Sequence, residues 1–138
     1  MPTRDIFHDA VRHALEKDGW KITDDPLTIS YGGTRMIVDL GAERLLAAER
    51  DGERIAVEVK SFVGDSALSE FHTALGQFLN YEMVLEQRDS QRKLFLAVPQ
   101  STYETFFELS FTREARERHG LRLIVYHPVR EEVIKWIK

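Results

Sequence analysis

The stretch "RIAVEVKSF", Arg54 to Phe62, decides how the rest of the chain is read. Ile55, Val57 and Val59 alternate with Ala56, Glu58 and Lys60, the period-two pattern of a β-strand. A carboxylate and an amine two positions apart therefore share one face, flanked by Ala56 and Phe62. Asp51-Gly52 just before it is a strong two-residue hairpin signal, so "RMIVDLGAERLLAAER" (35–50) pairs antiparallel with it. A solvated Glu–Lys pair on such a strand contributes under ~1 kcal/mol. The other reading is half of a metal-dependent active site.

The chain has 138 residues, 43% hydrophobic and 30% charged, which suits one domain over 1–138 with a substantial core. No apolar run approaches the ~18 residues of a membrane span, and no signal-peptide pattern opens the chain. The absence of cysteine excludes disulfides and thiolate metal sites and fits a reducing cytoplasm. A metal here is held by oxygen or imidazole. The net charge of −4 argues against a protein that coats nucleic acid by electrostatics alone.

Working outward, Thr3 to Asp18 reads as a helix capped by Thr3 and ended by Gly19, with Asp5 complementing its dipole. Its apolar stripe is Phe7, Ala10, Val11, Ala14 and Leu15. "KIT" and "LTIS" read as short strands around Asp24-Asp25-Pro26, and Gly32-Gly33 marks another reversal. Ser66 or Asp65 caps a long helix reaching about Gln87, with Leu68, Phe71, Ala74, Leu75, Phe78, Leu79 and Val84 as its buried face. "KLFLAVP" (93–99) reads as a buried strand. A helix from about Thr102 to Arg118 follows, stopped by Gly120. "LRLIVYHP" and "EEVIKWIK" close the chain as strands, with Trp136 a packing residue or a contact with another chain. The order predicts an α/β fold, a mixed central sheet with helices on both faces. Lys60 to Leu94 forms a βαβ unit if its strands are parallel.

Phosphodiester hydrolysis needs carboxylates for Mg²⁺ and a cation to stabilise charge or orient water. Asp39 interrupts an apolar run nineteen positions before Glu58, and the hairpin can bring both acids to one end of the sheet. On the next helix Gln77 and Tyr81 stand at i and i+4, on one face, behind the strand of Glu58 and Lys60. An amide and a phenol there suit phosphate or backbone oxygens. The ordinary reading is an amphipathic helix with a polar edge.

Asp39, "EVK" and "QFLNY" together resemble the restriction-endonuclease-like superfamily, with its (P)D…(D/E)xK signature and the glutamine–tyrosine motif of its RecB-type branch. Val38 stands where a proline often precedes the Asp. More closely, the chain resembles the XisH family, the fdxN element excision controlling factors. "RDIFHDAVRHALEKDGWKITDDPL", "VDLGAERLLAAER", "IAVEVKSF", "ALGQFLNY", "LFLAVP" and "RLIVYHP…EEVIKWI" carry this resemblance from Arg4 to Ile137. It implies a restriction-endonuclease-like core and a role in programmed DNA-element excision beside a XisI-type partner. The matching positions are Asp39, Glu58, Lys60, Gln77 and Tyr81. They give an endonuclease-like reading: Asp39 and Glu58 hold Mg²⁺ or Mn²⁺, Lys60 orients water or stabilises charge, and Gln77 with Tyr81 supports the DNA side. The alternative is a non-catalytic regulatory subunit binding DNA or the partner, and a homo-oligomer is compatible with either.

In the first helix, the resemblance to nucleases implies His8, as in the RecB-type branch, or Glu16, as in other branches, as a further ligand. They lie about 80° apart, so both do not face one metal. The ordinary reading of each is a solvent-facing side chain. His13, His72, His119 and His127 have no metal spacing. Gly32-Gly33-Thr34-Arg35 is too short for a phosphate-binding loop, and no serine elbow is present. Arg113, Arg116, Arg118 and Arg122, interleaved with Glu114 and Glu117, read as a solvated helical face.

Overall fold

The computed structural model describes residues 5–28 and 45–138. Its hairpin is the one the sequence marks. Asp51 (φ 50°) and Gly52 (φ 83°) both occupy the left-handed region, the conformation of a tight turn matching strand twist. They join β2 (Leu45–Arg50) to β3 (Glu53–Val59) in antiparallel register, from Arg50 opposite Glu53 to Leu45 opposite Glu58.

After β3 the chain crosses through α2 (Ala67–Arg88) and returns as β4 (Arg92–Pro99), parallel to β3. The expected βαβ unit is therefore present. β1 (Lys21–Asp24), β5 (Leu123–His127) and β6 (Glu132–Ile137) complete a six-stranded mixed sheet among the described residues, ordered β1-β2-β3-β4-β5-β6. β4 and β5 are parallel, while β5 and β6 are antiparallel. No described helix is long and apolar enough to cross a membrane.

Strand alternation sends side chains into two hydrophobic clusters. Ile55, Val57, Val59, Phe95, Ala97, Ile124 and Tyr126 pack with Val11 and Leu15 of α1 (His8–Lys17). Ala56, Leu94, Leu96, Val98, Leu123 and Val125 pack with Phe71, Ala74, Phe78 and Tyr81 of α2. Both faces of the central strands are thus covered, as parallel strands require. Trp136 is a packing residue, its ring centroid 5.5 Å from Trp20 and 5.1 Å from Phe95.

Four expectations about elements change. α1 begins at His8, and Thr3 lies outside the described residues, as do Gly32-Gly33, Ile29-Ser30 and residues 35–44. Leu27-Thr28 form no strand. On α2 the expected buried face is displaced. Taking Ala74 as origin at 100° per residue, Tyr81 and Leu85 fall within about 20°, while Leu68 and Leu79 fall about 120–140° away. Accordingly Tyr81 is 2% exposed, and Leu68 and Leu79 are 46% and 38% exposed. Ser66 caps α2 as expected, its hydroxyl accepting from the Ser69 N–H at 3.1 Å.

The expected helix over 102–118 is broken. A short α3 (Gln100–Thr102) runs into a π-turn (Tyr103–Phe107), and α4 (Ser110–His119) starts afresh after an extended Leu109 (ψ 144°). The wider π-turn lets both Tyr103 and Phe107 reach the α2-side core, where Phe107 meets Phe62 and Phe71 edge-on. Gly120 (φ 62°) ends α4 in the left-handed conformation that glycine adopts without strain.

Candidate functional site

Glu58 is in phase with Ala56, so its carboxylate lies on the α2 side of the sheet, at the carboxyl end of β3. It is 0% exposed, with both carboxylate oxygens buried. Lys60, one residue past β3, is 8% exposed. The solvated surface pair therefore does not hold. Burying ionisable groups is unfavourable unless other interactions offset it, so a carboxylate and an amine kept inside are a deliberate use of stability. Ligand clefts in open α/β sheets commonly lie at such carboxyl strand ends.

The backbone around Lys60 is fixed from three sides. The Lys60 N–H donates to the Ala97 carbonyl at 3.1 Å, continuing the ladder with β4. The Lys60 carbonyl accepts from the Tyr126 hydroxyl of β5 at 3.3 Å. The Ser61 N–H donates to Asp5 Oδ2 at 3.0 Å, and Asp5 Oδ1 also accepts from the Phe7 N–H at 2.8 Å. Asp5 thus joins the entry of α1 to the end of β3, a contact across 56 positions that no local pattern announces. Burial, with the Asp5 carboxylate adding to it, pushes the Tyr126 phenol far above its ordinary range. Tyr126 accordingly stays a neutral hydrogen-bond donor.

Phe62 then turns the chain with φ 54°. A bulky residue in the left-handed region costs about 1–3 kcal/mol. Its ring is held against Phe107 at 5.6 Å and Phe106 at 6.4 Å, anchoring the strained turn two residues after the lysine.

From α2, Tyr81 reaches the same face of the sheet, sharing a hydrophobic cluster with Ala56. Gln77, about 40° around the helix from Tyr81, is half-buried. Its Oε1 is buried and has no hydrogen-bond partner among the described residues, and the Tyr81 hydroxyl oxygen is buried too. The fold thus puts Glu58, Gln77 and Tyr81 on the α2 side of the central strands, with Lys60 buried two positions after Glu58. Asp39 lies outside the described residues.

The first-helix candidates differ from one another. His8 is buried rather than solvent-facing, its Nε2 2.9 and 3.0 Å from the two oxygens of Asp25. Arg12 Nη1 donates to the same carboxylate at 2.7 Å. Nε2 is committed to that contact, which leaves Nδ1 for any other role. Glu16 is exposed. Among the described residues, no group of three His, Asp or Glu side chains is arranged to hold a metal. Glu58 nonetheless offers hard oxygen donors in a chain without cysteine, the donor chemistry that suits Mg²⁺ or Mn²⁺. Mg²⁺ is commonly held by one or two carboxylates while keeping several waters.

Of the arginine run, Arg113 and Arg118 are exposed on α4, as a solvated face requires. Arg122 instead donates from Nε to the Leu94 carbonyl at 2.9 Å and pairs with Glu82 of α2.

The family model described as XisH protein matches residues 1–134. Among solved structures, an XisH family protein from Nostoc punctiforme PCC 73102 is 52% identical, covering 97% of this chain and 100% of that one, with a TM-score of 0.89. A fdxN element excision controlling factor protein from Anabaena variabilis is 51% identical, covering 96% and 98%, with a TM-score of 0.88. No curated protein matches the chain.

Proposed function

The chain belongs to the XisH family, and from this premise we propose that it is a Mg²⁺-dependent endonuclease-like protein acting on DNA during programmed excision of a DNA element. The observation that carries the reading is the burial of Glu58 and Lys60, two apart, at the carboxyl end of β3 beside the Gln77–Tyr81 face of α2. The restriction-endonuclease-like core belongs to the same reading: Asp39, Glu58 and Lys60 supply its acid, acid and lysine. Leu45, six positions after Asp39, pairs with Glu58, so the chain enters β2 at Glu58's end of the sheet.

Asp39 and Glu58 would hold the divalent ion, which when bound stabilises charge on the phosphate and acidifies water. The Lys60 ammonium orients the attacking water and offsets charge developing on the phosphoryl oxygens. Its backbone is held by a hydrogen bond to the Ala97 carbonyl, by one from the Tyr126 hydroxyl, and by Asp5 acting through the Ser61 N–H. Gln77 donates or accepts at the DNA backbone through its amide, with Tyr81 beside it on the helix. No side chain serves as nucleophile.

A second reading keeps the fold as a non-catalytic subunit that controls excision, binding DNA or a XisI-type partner. The net charge of −4 and the description of the Anabaena variabilis relative as a controlling factor favour it.

DNA cleavage in Mg²⁺ or Mn²⁺, with a chelator control, separates the two. Wild type is expected to cut, and Asp39→Ala and Lys60→Ala to lose about 10²–10³-fold of the rate, with circular dichroism confirming folded variants. Equal cutting by all three preparations marks a contaminant, and no cutting by wild type leaves the regulatory reading.

A further inference from the structure

A second site stands at the other end of β4. A cleft of about 600 Å³ is lined by Lys93, Arg116, Glu117, Leu121, Arg122 and Lys138. Four of these side chains are cationic and one is anionic, a formal charge of +3 in a protein whose net charge is −4. Lys93 also borders two adjoining clefts of about 300 and 160 Å³, so the cavity is open to ligands larger than an ion.

The four cations are not equivalent. Arg122 is already committed to Glu82 and the Leu94 carbonyl. Lys93 and Lys138 are exposed, and neither makes a side-chain hydrogen bond or ion pair among the described residues. Arg116 is half-buried, and its Nη1 is buried with no hydrogen-bond partner among the described residues. Buried guanidinium nitrogens are nearly always hydrogen-bonded, so an orphan donor beside a cationic cleft is a sign of something absent. A solvated helical face, the sequence reading of Arg116, does not account for this atom.

We propose that this cleft binds a phosphate-bearing ligand. Turned out into the cleft, the planar Arg116 fork matches two oxygens of one phosphoryl group, while Lys93 and Lys138 act as mobile point charges for a second. With Arg122 neutralised by Glu82, Arg116, Lys93 and Lys138 against Glu117 leave a surplus of two positive side chains, which favours a multiply charged anion over a single carboxylate. The volume lies within the range of small-molecule sites. The same chemistry is presented by a free polyphosphate and by consecutive phosphates of a polynucleotide. The site is independent of the Glu58 reading: Lys93 pairs with Ile55, whereas Glu58 pairs with Leu96, about 10 Å further along the strands.

Isothermal titration of the intact chain with pyrophosphate, and separately with a short single-stranded oligonucleotide, tests the assignment. Wild type is expected to bind at least one of them saturably at one site, and Arg116→Gln and Lys93→Gln each to weaken that binding at least tenfold. Lys21→Gln, an exposed position on β1, is expected to bind as wild type. Tighter binding of pyrophosphate assigns a free polyphosphate as the source, and tighter binding of the oligonucleotide assigns a polynucleotide backbone. Thermal melts verify folding, and if Arg116→Gln does not fold, the exposed Lys93→Gln carries the comparison. No saturable binding of either anion to wild type overturns the proposal. So does unchanged affinity in the folded variants, or an equal loss in Lys21→Gln.

Discussion

Replacing Asp5 by alanine tests how the candidate lysine is held. The Asp5 carboxylate accepts from the Ser61 N–H at 3.0 Å and from the Phe7 N–H at 2.8 Å, and Ser61 is buried. Hydrogen bonds to a charged acceptor contribute about 1.5–3 kcal/mol each. Asp5 is half-buried and water can reach the Phe7 N–H in the variant, so one bond is largely recovered. The N–H of the buried Ser61 is not. Asp5→Ala should therefore cost about 2–3 kcal/mol, which for a chain of this size lowers the melting temperature by roughly 6–10 °C. Asp5→Asn keeps one acceptor oxygen and should lie between. Urea unfolding at neutral pH is the assay, read as a lower midpoint with an unchanged slope. Stability of Asp5→Ala within about 0.5 kcal/mol of wild type, the ordinary range for a surface substitution, would refute this account of Lys60 positioning.

Two further predictions follow from buried polar groups. The Tyr126 phenol has its pKa raised in the folded state, so the unfolded chain releases that proton first as pH rises. Its contribution is intact below about pH 10 and erodes above it by about 1.4 kcal/mol per pH unit. Tyr126→Phe should flatten the alkaline fall of the urea midpoint, and parallel profiles for the two proteins would contradict the assignment. Asp89 joins three elements: it pairs with Arg54 at 2.9 and 2.8 Å and accepts from the buried Arg92 Nε at 2.9 Å. Asp89→Ala leaves the Arg92 charge short of its partner and should cost about 3–5 kcal/mol, whereas Arg54→Ala, removing the more exposed arm, should cost under about 1 kcal/mol.

Much of the architecture is legible in the chain because local chemistry dictates it. Asp51-Gly52 can supply two left-handed residues cheaply, Ser66 caps α2, Gly120 ends α4, and the apolar run of β4 is a strand buried on both faces. What the chain hides depends on tertiary context. Leu79 outranks Tyr81 in hydrophobicity, yet the meridian set by Ala74, Phe78 and Leu85 turns Tyr81 inward. The break at Leu109 carries no proline or glycine. It follows from burying Tyr103 and Phe107 through a π-turn, a demand of the core alone. In the site, Glu58, Lys60, Gln77 and Tyr81 were readable from spacing and from resemblance. Asp5 and Tyr126 were not, because Asp5 also suits a helix dipole and Tyr126 sits in an apolar strand.

The proposed function gives the carboxylate buried at the end of β3 to metal-dependent chemistry. Glu58→Gln tests it most directly, because it preserves side-chain shape and removes the charge. In the cleavage assay with Mg²⁺, Glu58→Gln should lose about 10²-fold or more relative to wild type, in a variant whose circular dichroism and melt show a folded protein. Cleavage by Glu58→Gln at the wild-type rate would contradict it.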